Sequence, residues 1–379
     1  MPQLPPLPES FDRRAAMPIV ERYCFLNHAA VAPICAAAAA EIERFAREAR
    51  DHAYLTGHWY RRAEETRALA AALIQASPEE VAFVKNTSEG IAFVANGLAW
   101  RPGDEVISTA VEYPANVYPW MDLQKRCGVR HIMVPERNGR IDPEEIIAAI
   151  TPRTRLASLS HVEYASGFRH DLAKISAACR AKGALFCVDA IQTCGALPVN
   201  VRAMGIDFLS ADGHKWLLGP EGCGIFYCRK ELLGALQPEI GWMNVVNSSD
   251  YANYDFTLRP DARRFECGSY NIPGVLALGA AIKLLLDVGI ELVWARVLAL
   301  TDQLCEMLAA KEYAVFSSRR AGEQSAIVSF THPRHDLNKI VVDLEKQDII
   351  VALRGGRLRA SPHFYNTEDD LHRLVDALP

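Results

Sequence analysis

Residues 172–189 read LAKISAACRAKGALFCVD and predict a helix, a turn and a buried strand in immediate succession. The helical pattern runs from Leu172 to Lys182, Gly183 ends it, and the apolar run Ala184–Val188 is typical of a strand. Strand-like and helical runs alternate in this way from about residue 81 to residue 228. That alternation predicts an α/β fold with a mostly parallel sheet covered by helices on both faces.

The alternation stops after about residue 228. Residues 237–262 are irregular and rich in Asn, Ser, Asp and Tyr, and two long apolar helices and a few short strands follow. We therefore expect three parts: an N-terminal segment at 1–20, a large domain at 21–262 and a smaller α+β C-terminal domain at 263–379.

Composition excludes several classes of protein. The chain has 379 residues and a formal net charge of −5, and a general nucleic-acid-binding protein usually has a basic bias. It has no run of 18 apolar residues and no basic-then-apolar start, so neither a membrane span nor a secretory signal is expected. Its ten cysteines form no CxxC pair, which indicates reduced core residues in a cytoplasmic protein and no metal site.

The segment 210–222, SADGHKWLLGPEG, places Lys215 between a short apolar strand and a glycine-rich turn. A lysine whose amine is held near a carbonyl group can form a Schiff base. Pyridoxal phosphate needs such a lysine and also a carboxylate that keeps its ring nitrogen protonated. Asp189 ends an apolar strand 26 residues earlier, and Gln192 follows three residues later. Alone, Asp189 is equally consistent with a turn cap; together with Lys215 it indicates a site.

A phosphate site is predicted where the segment Asn86-Thr87-Ser88-Glu89-Gly90 joins a strand to a helix. Backbone amides at a helix start and nearby hydroxyls bind phosphate. The alternative is an ordinary helix cap, because Asn, Ser and Thr are common there.

Several motifs, taken together, carry a family resemblance. They are Tyr23–Ala30, Thr87–Gly90, Glu112–Asn116 with Pro119-Trp120, the Asp189/Gln192 strand, His214-Lys215, Phe265–Ser269, and Arg359–Ser361 with Tyr365–Thr367. In order and spacing they resemble the class V aminotransferase superfamily over about residues 20–379. The resemblance implies a fold-type I pyridoxal phosphate enzyme with a three-layer PLP-transferase large domain. It also implies a homodimer with active sites at its interface.

The resemblance also implies roles for individual residues. Lys215 would bind the cofactor and move protons, while Asp189 would pair with the ring nitrogen and Gln192 with the ring oxygen. Tyr113 stands where relatives stack an aromatic ring on the cofactor. The phosphate would be held by Thr87, Ser88 and His214, and by Ser269 from the partner subunit. Arg359 would bind the substrate α-carboxylate as a bidentate fork. By position, the residues expected near the substrate are His28, Asn116 and His58, although His58 is equally consistent with packing at a helix start.

Three departures bear on the reaction. Cysteine desulfurases carry a catalytic cysteine shortly before the carboxylate-binding arginine, and residues 351–359 contain none. Asp212 stands where many relatives have a phosphate-binding serine, and it would repel a phosphate unless it faces His214. Tyr164 stands where desulfurases have an asparagine, as in a kynureninase-like pattern. The sequence therefore lies between the cysteine desulfurase-like, kynureninase-like and isopenicillin N epimerase-like groups.

We expect an enzyme that acts on a small amino acid through an external aldimine of pyridoxal phosphate. Aminotransferase activity is the first expectation, because one lysine suffices for the proton transfers of transamination. The alternatives are a C–S or other β-lyase, an epimerase or racemase, and a non-catalytic protein that binds the cofactor.

Overall fold

The computed structural model describes residues 3–379, so Met1 and Pro2 of the predicted N-terminal segment lie outside the described residues. Eleven α-helices are present in that part of the chain: α1 Arg13–Ala16, α2 Ala36–His52, α3 Trp59–Leu73, α4 Thr87–Gly97, α5 Tyr118–Cys127, α6 Pro143–Ala149, α7 Leu172–Lys182, α8 Ile272–Val288, α9 Ile290–Ala310, α10 Leu337–Glu345 and α11 Glu368–Ala377. None of these helices is both long enough and apolar enough to cross a membrane.

The strands of residues 3–379 form one large sheet, one small sheet and one isolated pair. They are β1 Cys24–Phe25, β2 Val81–Val84, β3 Glu105–Thr109, β4 Arg130–Val134, β5 Thr154–Ser160, β6 Leu185–Asp189, β7 Phe208–Asp212, β8 Gly224–Cys228, β9 Ala314–Val315, β10 Val328–Thr331, β11 Ile349–Ile350, β12 Ala352–Arg354 and β13 Arg357–Ala360.

The large sheet has seven strands in the order β2-β8-β7-β6-β5-β3-β4. Its strands β7, β6, β5, β3 and β4 run parallel, and β8 is antiparallel to both of its neighbours. The link between β7 and β8 contains no helix to carry the chain across the sheet, so β8 returns antiparallel. The predicted α/β fold with a mostly parallel sheet is confirmed.

Both faces of the large sheet are buried. Along β2, Val81 and Phe83 belong to one hydrophobic core while Ala82 and Val84 belong to another. Successive side chains of a strand point to opposite faces, so these two cores lie on the two sides of the sheet. The result is a three-layer arrangement of helices, sheet and helices.

The small sheet has the order β12-β13-β10-β9 and is covered by a third core. Its first two strands form a hairpin, with Gly355 and Gly356 both at positive φ (55° and 73°) between the paired residues Arg354 and Arg357. A two-residue hairpin of this kind needs positive φ at both central positions, which glycine adopts without strain. The hairpin directs β13, and with it Arg359, back toward the large domain.

Two elements pack across the predicted boundary at 262/263. Helix α8 packs on α2 and α3 and contributes Val275, Leu278 and Ile282 to a core of the large sheet. In the opposite direction, β1 pairs in parallel with β11, and Cys24 lies in the core of the small domain. The division into three parts stays a prediction. Helix α8 follows the predicted boundary in the sequence but packs on the large sheet, whereas β1 precedes the boundary but packs with the small domain.

Candidate active site

The candidate active site is a cleft of about 380 Å³ at the carboxyl ends of the parallel strands. Asp189 and Asp212 are the last residues of the adjacent strands β6 and β7, and two residues separate the end of β2 from the start of α4. Ligand sites of open α/β sheets lie at this edge. Eight of the predicted site residues line the cleft: Thr87, Ser88, Tyr113, Asp189, Gln192, His214, Lys215 and Arg359. Their predicted roles stay predictions.

Lys215 and Asp189 are both buried at the base of this cleft. Burial lowers the pKa of Lys215 to about 8, and the nearby carboxylate of Asp189 opposes that shift. Burial likewise raises the pKa of Asp189 to about 6, while a hydrogen bond from the Ile191 amide (3.0 Å) acts in the other direction. A lysine with a lowered pKa is more often neutral and therefore nucleophilic near neutral pH. The Lys215 ammonium nitrogen lies 5.7 Å from the centre of the half-exposed Tyr113 ring.

The N-terminus of α4 forms one wall of the cleft. Asn86 caps the helix by accepting a hydrogen bond from the Glu89 amide (3.0 Å). The Thr87 hydroxyl accepts from the Asp212 amide (3.1 Å) and so retains its own hydrogen for a ligand. The helix start and its hydroxyls provide the donors that a phosphate requires.

The Asp212 carboxylate is turned toward its own chain. One oxygen accepts from the Gly213 amide (2.7 Å), and the other lies 3.1 Å from Nδ1 of His214. From the sequence, an acid at this position is expected to repel a phosphate unless it faces His214, and Asp212 does face His214. Asp212 and His214 line the cleft together with Thr87 at the start of α4.

Arg359 lies on β13 and is only 1% exposed. One terminal nitrogen donates to the Tyr164 carbonyl (2.7 Å), but Nε and the other terminal nitrogen have no hydrogen-bond partner. Burial, with a contribution from nearby Arg354, lowers the pKa of Arg359 to about 10, so the side chain remains cationic at neutral pH. Buried donors without partners are rare, because each loses its hydrogen bonds to water. These two therefore mark an anion-binding position.

The residues present fit pyridoxal phosphate. Lys215 provides the amine, the second oxygen of Asp189 is open toward the cleft, and the start of α4 provides phosphate donors. Arg359 adds an unpaired guanidinium for a carboxylate. Each polar end of the cofactor and of an amino-acid substrate therefore finds a group of complementary charge.

His28 and Asn116 are not among the residues that line the cleft, and their predicted substrate contacts stay predictions. His28 is fully buried, and its ring nitrogens are bonded to the Ser361 carbonyl (2.8 Å) and the Tyr365 hydroxyl (2.6 Å). The Asn116 side-chain oxygen accepts from Ser158 (2.6 Å) and Trp120 (3.1 Å). Both side chains support the protein behind the cleft wall and do not line it.

His58 and Ser269 lie outside the cleft of their own chain. His58 is exposed at the start of α3 with φ 45°, and Ser269 lines a separate surface groove with Lys85 and Cys267. Their predicted roles depend on a partner subunit and stay predictions.

Sequence reasoning missed a pair of buried acids beside the cleft. Glu112 accepts from the amide and hydroxyl of Ser160 (2.8 and 2.6 Å), and Glu163 accepts from Thr109 (2.9 Å). Burial raises the pKa of Glu163 to about 8 and raises that of Glu112 well above its usual value. A pKa of about 8 keeps Glu163 mostly protonated near pH 7.

Each of these acids is followed by a tyrosine that lines the cleft, Tyr113 or Tyr164, and the two rings meet edge to face at 5.3 Å. The repeated Glu-Tyr pair was the signal available in the sequence. Arg354 and Glu221 also line the cleft.

Comparisons of sequence and of structure find similar proteins among the class V aminotransferases and the cysteine desulfurases. The family description "Aminotransferase class-V" matches residues 24–374. The "Probable cysteine desulfurase" of Methanothermobacter thermautotrophicus is 32% identical over 338 residues, which is 84% of this chain and 83% of that protein. The "Uncharacterized aminotransferase YcbU" of Bacillus subtilis is 30% identical over 309 residues, covering 81% and 80% of the two chains. The apo structure of the cysteine desulfurase from Thermococcus onnurineus superposes with a TM-score of 0.89 at 25% identity and covers 98% of this chain and 97% of that one.

Proposed function

The chain belongs to the class V aminotransferase family, and we propose that it is a C–S lyase that removes a sulfur-containing group from the β-carbon of a small amino acid. It is an enzyme of a pyridoxal phosphate-dependent family, and its cofactor is pyridoxal phosphate. The names of its desulfurase relatives support cleavage of a C–S bond. Aminotransferase activity, our first expectation, stays a prediction.

The observation that carries this proposal is the set of groups in one cleft: a lysine of lowered pKa, a buried arginine with two unused donors, and no cysteine among the described lining residues. A desulfurase transfers sulfur to a thiol of its own. The exposed thiol of this chain, Cys267, lines a different groove. Because none of the thiols in residues 3–379 lines the cleft of its own chain, we propose that the sulfur leaves as a free product.

The cofactor, when bound, supplies an electron sink for the bonds at the substrate α-carbon. Arg359 orients the substrate by binding its carboxylate through Nε and Nη2. Lys215 accepts the α-proton at Nζ, because a pKa near 8 allows the amine both to take and to release a proton at neutral pH. Asp189 provides the negative charge that holds a proton on the ring nitrogen.

For cysteine as the substrate, the balanced reaction consumes one water and yields pyruvate, ammonia and hydrogen sulfide. The C–S bond breaks with its electrons on sulfur, and the proton held by Lys215 is available to the departing thiolate. Hydrolysis of the remaining enamine product gives pyruvate and ammonia.

The test is a product assay on the protein loaded with pyridoxal phosphate. We expect cysteine or an S-substituted cysteine to give pyruvate and the sulfur product in equal amounts, with no alanine. Alanine together with a persulfide would instead indicate desulfurase chemistry. A keto acid formed only when a second keto acid is added would indicate transamination, and no product from a panel of amino acids would indicate a binding protein.

We also propose a homodimer with active sites at its interface. The groove lined by Ser269 lies on the surface, and the half-exposed Tyr60 packs beside it against Tyr270 (5.8 Å between ring centres). In a single chain these groups have no function in the cleft, whereas a second copy would bring Ser269 to its partner's phosphate.

Subunit mixing tests this dimer. Lys215→Ala and Ser269→Ala proteins are each expected to be inactive or impaired. After unfolding and refolding together, a mixed dimer holds one site with both native residues, so about one site in four regains activity on statistical grounds. Absence of any recovery in a mixture of well-folded dimers would contradict a shared site.

A further inference from the structure

The side-chain amide of Gln192 lies in the cleft wall and is held by two hydrogen bonds. Its nitrogen donates to the Ala29 carbonyl (3.0 Å), and its oxygen accepts from the indole nitrogen of Trp216 (2.8 Å). Gln192 and Trp216 are both buried, and Gln192 lines the cleft. An amide nitrogen has two hydrogens, so one N–H of Gln192 remains for a ligand.

The chemistry of the two neighbours allows only one orientation of this amide. An indole nitrogen is a donor only, and a backbone carbonyl is an acceptor only. Rotating the Gln192 amide by 180° would place its NH₂ group against the Trp216 N–H and its oxygen against the Ala29 oxygen. Both hydrogen bonds would then be replaced by repulsive contacts between buried groups.

Trp216 is itself fixed from several sides. Its carbonyl is bonded to Nε2 of His363 (2.9 Å), and its ring lies 5.5 Å from the His363 ring and 5.9 Å from the His28 ring. Gly195 approaches so closely that a Cβ there would lie 2.2 Å from the Trp216 oxygen. The indole therefore acts as a rigid donor.

We propose that Trp216 is a positioning residue: through its indole N–H it orients Gln192 so that the amide nitrogen, and not the oxygen, is presented to the cofactor's ring oxygen. This inference rests on the proposed cofactor site but not on which bond of the substrate is broken. Without the indole donor, the Ala29 carbonyl alone opposes rotation of the amide, so the orientation that presents an oxygen to the ring oxygen becomes less unfavourable.

The test measures the visible absorbance of the cofactor-loaded protein as a function of pH. An N–H donor stabilises the anionic ring oxygen that remains after deprotonation, so loss of this donor raises the pH midpoint of the absorbance change. We expect Trp216→Phe to raise the midpoint by about 0.5 to 1 pH unit, the equivalent of one hydrogen bond. Gln192→Ala should raise it by a similar amount.

A double variant separates positioning from a general effect on structure. If Trp216 acts through Gln192, Trp216→Phe/Gln192→Ala shifts the midpoint no further than Gln192→Ala alone. Trp100→Phe is the matched control, because it removes an indole hydrogen bond to the Ala95 carbonyl (2.7 Å) at a residue that does not line the cleft. This control should leave the midpoint unchanged.

If Trp216→Phe does not fold, the same measurement can be made with a tryptophan analogue at position 216. This analogue has sulfur in place of the indole N–H, so it keeps the ring shape but lacks the donor. A folded, fully loaded analogue with the parent's midpoint would overturn the proposal, as would additive shifts in the double variant. A protein that shows these shifts but releases no sulfur product would retain the positioning role and refute only the C–S lyase. A parent without any visible cofactor band would overturn both.

Discussion

Two buried arginines occupy opposite situations in this molecule. Arg67 on α3 is 2% exposed, and its guanidinium donates to Glu266 (2.6 and 3.1 Å), to Glu64 (3.1 and 3.0 Å) and to the Val81 carbonyl (2.8 Å). Arg359 is 1% exposed and has one partner, with two nitrogens left unpaired. The two side chains are equally buried, but the hydrogen-bond donors of Arg67 are all paired and two of those of Arg359 are not.

The difference teaches how to tell a structural charge from a functional one. A buried cation is costly unless it is paired, so full pairing makes Arg67 part of the scaffold that joins α3 to β2 and Glu266. The two unpaired donors of Arg359 destabilise the folded protein until a ligand accepts hydrogen bonds from them. Burial alone therefore does not identify a binding residue. Arg359 is distinguished by its two unused donors together with its position in the lining of the cleft.

The largest expected effect tests whether the region around Arg359 is catalytic. Lys215→Ala should lower the rate of product release by about 10⁴-fold or more, because it removes both the Schiff-base amine and the proton carrier. Borohydride reduction of the loaded parent should attach the cofactor to a peptide that contains Lys215. The control is Lys182→Ala, an exposed lysine at the end of α7, which should retain parental activity. If the reduced cofactor were found on Lys182 instead, Lys215 would not be the residue that binds it.

The second test breaks the fully paired region. Arg67→Met keeps the length of the side chain but leaves Glu266 buried without its cation. We expect a loss of about 3–5 kcal/mol in the free energy of unfolding, measured by urea titration. Substrate affinity of the folded fraction should not change. Adding Glu266→Gln should recover part of the loss, because the buried charge is then gone, and a loss under about 1 kcal/mol would show that the pair is not structural.

The third test makes the matching change in the cleft. Arg359→Lys should weaken amino-acid binding by about ten- to a thousandfold, because a lysine cannot form the two-pronged contact with a carboxylate. A spectral titration of the loaded protein measures this. Amines that lack the carboxylate should bind the parent and the variant alike. If a folded Arg359→Lys protein binds amino acids with parental affinity and is merely less stable, the distinction between the two arginines fails.

The smallest effect extends the comparison from arginines to acids. Glu266 is paired with Arg67. The buried Glu163 instead lies 3.1 Å from His170, which is neutral near pH 7 because burial lowers its pKa to about 4. Burial raises the pKa of Glu163 to about 8. The folded protein therefore keeps a proton that the unfolded chain releases above about pH 4.5, and stability falls as pH rises from there toward 8.

Glu163→Gln should remove this loss, since its amide can replace the protonated acid. The stability of the variant relative to the parent should increase by about 2–3 kcal/mol between pH 5 and pH 7. Urea titrations at several pH values measure it, and Glu345→Gln, at the end of α10 on the surface, is the control. A relative stability that does not vary with pH would show that Glu163 is ionised in the folded protein.

The sequence was sufficient to predict the sheet and the positions of Lys215 and Asp189 at one edge of it. Carboxyl ends of neighbouring parallel strands meet at the same edge, so two strand-end residues can be placed together without knowing the tertiary contacts. Tyr113, His214 and Arg359 were predicted from the family resemblance, and Arg359 reaches the cleft from the small sheet.

Contacts between distant segments were not predictable in this way. Arg67 and Glu266 are 199 residues apart, and nothing local to either one indicates the other. Trp216 appeared in a quoted motif, but its contact with Gln192 depends on how two strand ends are juxtaposed. His28 precedes the cleft residues Ala29 and Ala30, yet the turn directs its ring into the wall. Asn116 lies on a short turn before α5, which begins at Tyr118 next to Pro119.

The pairing of β1 with β11 has a consequence for the time at which the protein becomes complete. Residues 24–25 leave the ribosome early, but their partners at 349–350 are made some 325 residues later. At about 5–20 residues per second, this early strand waits roughly 15 to 65 seconds for its place in the sheet. Ala29, whose carbonyl holds Gln192, lies just beyond this strand and next to Ser361. Nascent chains that already contain Lys215 and Asp189 therefore lack one wall of the cleft, and the site is finished only after residues 349–361 have been made.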